Sequence, residues 1–184
     1  IFSIEKKQLQ VHFLSFVLAA AKAESLAAGK AKFLVWLDSN NLVINEPKAF
    51  ILGNSKKLGY RPVHHKQIGS AFDEPLDSFW RVVYEKCQVN EKDIFPMKTH
   101  VDGKILRPYI NSGFLSIRPE IGFLQKWAKK YLEILSDFKS YFEKDDLYAI
   151  FTHQAILSAL MISTFTQEEI IELPFEYNYP IHLY

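Results

Sequence analysis

The sequence predicts an α/β domain: a mostly parallel central sheet flanked by helices, with one small antiparallel hairpin. Three observations carry this. An Ala-rich helical segment, residues 4–29, leads into the five consecutive apolar residues Phe33 to Leu37. A helix followed by a continuous apolar run reads as a strand buried on both faces and half of a βαβ unit. Asp102-Gly103 lies between two candidate strands, a strong two-residue hairpin signal. Two long helical segments, 120–142 and 145–164, then follow.

In the first helix Leu14, Phe16, Val17, Leu18, Ala21 and Leu26 supply the apolar positions, and Gly29 is suited to end it. Residues 32–37 form the buried strand. "LVINEP" predicts a second short strand, with a helix or turn over 47–52. The glycines, prolines and adjacent histidines of 53–73 predict loop, with a strand near Tyr60 to Val63. "PLDSFWRVVYEKC" predicts a helix capped by Asp77 or Ser78, with Phe79, Trp80, Val83, Tyr84 and Cys87 on its apolar face. "YINSGFLSI" reads as a strand interrupted by Gly113. A helix starting near Asp145 or Asp146 and a final short strand and loop complete the chain.

The 184 residues, 48% hydrophobic and 23% charged, suit one domain over 1–184 with an ordinary core. The formal net charge of +1, with no basic stripe, argues against nucleic acid as the main partner. Cys87 is the sole cysteine, which excludes a disulfide framework and a thiolate zinc site and fits a reducing, cytoplasmic setting. No apolar run reaches the roughly 20 residues of a spanning helix. The chain begins at Ile1 without a Met, as a fragment would.

The candidate chemistry starts at Asp38-Ser39-Asn40-Asn41, where the first apolar strand stops. The carboxyl edge of an open α/β sheet is where ligands bind. In extended backbone Asp38 and Asn40 point the same way and offer oxygens to a shared divalent cation, Mn²⁺ or Mg²⁺. A strand-ending turn accounts for the same residues. His64 and His65, as neighbours, point to opposite faces of an extended chain and suit a loop better than one metal ion. Arg61 and Lys66 are candidate diphosphate partners or solvated loop residues. Arg107 and Arg118 bracket the "YINSGFLSI" strand, with a substrate role open to Arg107. Asp73, Glu74 and Asp77 offer a general base, or helix capping and first-turn charges. Trp80 and Trp127 read as core residues, Cys87 as a buried small hydrophobe, and Asp145 and Asp146 as capping residues.

Four segments, in order, resemble GT-A fold glycosyltransferases, the nucleotide-diphospho-sugar transferase superfamily, in the style of its glycogenin-like and galactosyltransferase-like branch. "VWLDSNNLVINEP" resembles the "LDxD" strand end, and "RPYINSGFLSIRPEIGFLQKW" (107–127) the "NxGxxxxxP" strand and helix. "HQAILSAL" (153–160) resembles the "DQxxLN" helix start, and "ELPFEYNYPIHLY" (172–184) the closing "LPxxYNY…H" segment. The resemblance implies a GT-A-like fold and transfer of a sugar from a nucleotide diphosphate sugar to a hydroxyl acceptor, with a divalent cation as Lewis acid. It implies Asp38, Asn40 and His182 at the metal, and Asn111, Ser112 and Gly113 along the donor sugar and acceptor. His153-Gln154 falls beside the sugar. Position 40 departs from the pattern as Asn and position 153 as His, and only one helix precedes the Asp38 strand, so the leading nucleotide-binding βαβ segment is expected to be missing. These departures support an alternative, a non-catalytic ligand- or protein-binding domain that retains the fold.

Overall fold

A computed structural model of the chain describes residues 12–181. His182, expected at the metal, lies outside the described residues. The sheet has four strands: β1 (Leu34–Leu37), β2 (Leu58–Pro62), β5 (Ile110–Ile117) and β6 (Ile170–Glu172), in the order β1-β5-β2-β6. The second sheet is a hairpin at the predicted place, β3 (Met97–Lys98) with β4 (Ile105–Leu106), but residues 99–104 join its strands rather than a two-residue Asp102-Gly103 turn. Gly103 takes a positive φ of 64° in its turn, a conformation glycine adopts without penalty.

The expectation of a mostly parallel sheet is corrected. Central strand β5 runs antiparallel to both β1 and β2, and only β2 and β6 pair in parallel. β1 is only partly buried, with Val35 exposed, which also corrects the buried strand expected over 32–37; its apolar composition carries no information on strand direction. For the same reason α1 (Leu14–Ala27) and β1 do not open a βαβ crossover, since β1 turns back against β5. The predicted strand at 42–44 is also absent: Leu42, Val43 and Ile44 lie in an exposed loop. β5 runs unbroken through Gly113.

Of the first expected helix, 4–29, residues 4–11 lie outside the described residues and α1 begins at Leu14 after a turn; α2, α3 and α5 form where expected. Asp77 caps α2 (Ser78–Cys87), accepting from the Trp80 N–H at 2.9 Å. Asp145 caps α5 (Asp146–Thr164), accepting from the Leu147 N–H at 2.9 Å. The amphipathic run after 120 divides into α3 (Phe123–Ile134), a 3-10 turn, and the short α4 (Lys139–Phe142). Trp80, Trp127 and most of α5 are buried in the core. α5 has the length and hydropathy of a membrane-crossing helix, but 61% of its apolar window is buried within the fold. Cys87 is buried too, and loss of water pushes its thiol up to about 12.

α1 and α3 are locked by a feature invisible in the local pattern. Gly122, which precedes α3, has no side chain to cap the helix. Buried Glu24 of α1 replaces it, accepting from the Gln125 N–H at 2.9 Å. A carboxylate suits the positive end of a helix. Burial raises the Glu24 pKa above the ordinary carboxyl value, against the lowering effect of the α3 N–H groups.

Candidate active site

The site is built where strand pairing gives out along β5. Over Phe114–Ile117 the strand is paired with β1. Asp38, one residue past β1, extends that ladder by donating its N–H to the Gly113 carbonyl at 2.8 Å. This brings the Asp38 side chain over Gly113, where a Cβ would come within 2.9 Å of the Asp38 Cβ. Glycine at 113 therefore makes room for the carboxylate's own stem.

On the other side, the β2–β5 register jumps between Tyr60↔Leu115 and Pro62↔Ile110. Across this interval α5 supplies the acceptors. Ser158 Oγ accepts from the Ile110 N–H at 3.0 Å, and Gln154 Oε1 from the Ser112 N–H at 3.1 Å. Buried backbone donors require such partners. Asn111 Oδ1 accepts from the Gly113 N–H at 2.9 Å.

Asp38, Asn111, Ser112, Gly113, His153 and Gln154 thus line one cavity of about 290 Å³. Phe13, Phe16 and Phe151 supply an apolar wall, and Val63, His64, His65 and Gln67 a further edge. The loop over 63–69 is held against the hairpin: Asp102 Oδ2 accepts from the Lys66 N–H at 2.8 Å, and Thr99 Oγ1 donates to Asp102.

His153 is almost completely buried, with Nε2 3.0 Å from Ser112 Oγ. Phe13 stacks on its ring at 4.3 Å between centroids and 9° between planes, and Trp127 Nε1 donates to its carbonyl at 2.8 Å. Burial pulls the imidazole pKa down to about 3. The Ile150 backbone opposes this, although Nδ1 falls short of full hydrogen-bond geometry. His153 is therefore neutral at physiological pH, a polar group that adds no charge to the cavity.

Other expected residues fall elsewhere. Asn40 is exposed and does not line the cavity, because the chain turns at 39–40 and the alternation of extended backbone ends. Arg107 holds the 70–74 segment, donating to Ser70 Oγ at 2.9 Å, to the Ala71 carbonyl, and to the Glu74 carbonyl at 2.7 Å. Arg61 is buried against Glu172 at 2.7 Å and the Leu173 carbonyl at 2.8 Å. Arg118 donates to the Lys56 and Gly53 carbonyls. Among the described residues, no three His, Cys, Asp or Glu side chains converge for a metal ion. The aromatic wall was not anticipated: Phe13, Phe16 and Phe151 have no spacing that separates them from core residues. His64 and His65, read as loop, line the cavity.

A cavity with convergent polar groups at a strand end is where a small-molecule site of an α/β domain is sought. Residues 8–163 match the Rhodobacterales glycosyltransferase domain family, and the chain belongs to that family. No curated protein and no solved structure matches the chain.

Proposed function

We propose that this glycosyltransferase domain is of GT-A type, in the style of the glycogenin-like branch. It transfers a sugar from a nucleotide diphosphate sugar to a hydroxyl acceptor in the cavity at the end of β1. The observation that carries the reading is the convergence of Asp38 with Asn111, Ser112, Gly113, His153 and Gln154 on one cavity. Asn111 and Gln154 offer amide groups, Ser112 a hydroxyl and His153 an uncharged imidazole, a set suited to the hydroxyls of a sugar. Asp38 is the carboxylate of this lining and a group able to take a proton from an acceptor hydroxyl.

The described residues alone do not fit a resident metal. They present one carboxylate, Asp38, with His64 and His65 on a further edge and His153 buried against Ser112, and no three such side chains converge among the described residues. No step is assigned to a cation, and Mn²⁺ and Mg²⁺ enter as arms of the test. The uncharged Asn at position 40, where the family pattern has a carboxylate, favours a second reading, a domain that binds a sugar nucleotide without turning it over.

The test is nucleoside diphosphate release from UDP- and GDP-sugars, with and without Mn²⁺ or Mg²⁺, by wild type and Asp38→Ala. The expected result is release by wild type and a loss of at least about 100-fold in the variant, typical of removing a general base. Binding without release supports the second reading. Absence of binding by wild type, or undiminished release by Asp38→Ala, contradicts the transferase reading.

A further inference from the structure

Phe13 is the aromatic residue of the cavity that the fold treats unlike the rest. It is 41% exposed, yet its backbone is held in the left-handed region at φ 57°. Bulky residues rarely adopt that conformation, which carries strain of order 1–3 kcal/mol and persists only where surrounding structure enforces it. Here it is enforced on both sides. The preceding carbonyl, of His12, accepts from Tyr131 Oη of α3 at 2.8 Å, and the Phe13 carbonyl accepts from the Val17 N–H at 3.0 Å. The ring plane is fixed as well, stacked on His153 and met edge-on by Phe16 at 6.2 Å. The ring is held in this way yet stays partly exposed where it lines the cavity.

A rigid aromatic face beside hydroxyl, amide and imidazole groups is matched by a ligand with one apolar face and a polar rim. A pyranose ring has that character: axial C–H groups on one face, hydroxyls around the edge. We propose that Phe13 is the platform on which the C–H face of the transferred sugar packs, so that it selects the sugar rather than the nucleotide. The inference rests on the reading of the cavity as a sugar-nucleotide site. The strain follows from that role: it holds the ring in place before the sugar arrives, so little side-chain freedom is lost on binding.

Calorimetry on wild type, Phe13→Gly, Phe13→Tyr and Asp38→Ala tests this, with UDP, GDP, UDP-glucose, UDP-galactose, UDP-N-acetylglucosamine and GDP-mannose as probes. Glycine tolerates the left-handed backbone, so Phe13→Gly removes the ring while relieving the strain, and its melting temperature is expected within about 3 °C of wild type. Its affinity for the preferred sugar nucleotide is expected to fall at least about 5-fold, the size of one aromatic contact. Its affinity for the bare nucleotide should stay within twofold, and Phe13→Tyr should restore sugar-nucleotide binding. Equal loss for sugar nucleotide and bare nucleotide, no loss for either, or failure of Phe13→Tyr to restore binding would overturn the platform. Binding that depends on Asp38 but not on Phe13 overturns this inference alone. No binding by wild type overturns both it and the proposed function.

Discussion

The two halves of β5 are one strand with two fates. At Leu115, β1 and β2 pair with it from both sides, with Trp36 and Tyr60 as partners. Over 110–113, β1 has ended and the β2 register has slipped. The ladder is replaced by side chains: Gln154 and Ser158 of α5 on the N–H groups, and Asp38 over Gly113. Regular pairing satisfies the backbone but leaves no room for a ligand. Where regular pairing gives way, the backbone is satisfied by polar side chains, of which Gln154 and Asn111 also line the cavity. The site is the part of the strand where pairing is irregular.

This contrast is tested by substitutions in each half. Leu115→Ala removes a fully buried side chain from the paired half and is expected to cost about 2–5 kcal/mol of stability in denaturant unfolding. Nucleotide binding in the folded fraction should be unchanged. Gly113→Ala acts in the other half. It forces a Cβ to within 2.9 Å of the Asp38 Cβ, and overpacking of this kind costs about 1–3 kcal/mol. Unlike Leu115→Ala, it should abolish nucleotide binding, as read by calorimetry.

The pH response of the second half is set by His153. Its pKa is about 3 in the folded protein against an ordinary 6.5, so between these values the unfolded chain binds the extra proton. The histidine's contribution is complete above pH 6.5 and is lost as pH falls toward 3, by up to about 1.4 kcal/mol per pH unit. Urea unfolding at pH 7 and pH 5 should show this loss, and His153→Gln should flatten it. Ser112→Ala is the mildest change. It removes the hydroxyl bonded to His153 and Gln154 and should cost about 0.5–1.5 kcal/mol, with thermal unfolding as the measure.

Much of the scaffold was legible because its signals are local. Asp102-Gly103 marks the hairpin, Asp77 and Asp145 mark helix starts, and Trp80 and Trp127 sit on apolar helix faces. Sheet direction was not legible, since "FLVWL" has the same composition in either orientation. Of the residues at the strand end, Asp38 sits on the cavity, but Asn40 was paired with it through an alternation that the turn at 39–40 breaks. The Glu24 cap on α3 joins residues 101 positions apart, and Arg107 was placed by charge when its partners are the carbonyls of a neighbouring loop. Contacts of that range leave no trace in a sequence window.

The most direct measurement is a map of backbone amide NMR shifts during titration with UDP-sugars, GDP-sugars and Mn²⁺. If the 110–113 half of β5 is the donor site, the largest shifts fall on Asp38, Asn111, Ser112, Gly113 and His153. A second cavity of about 570 Å³ lies at the far end of α5, lined by Asp93, Phe95 and residues 162–168. Shifts concentrated there, with Asp38 and Gly113 unmoved, would contradict the account.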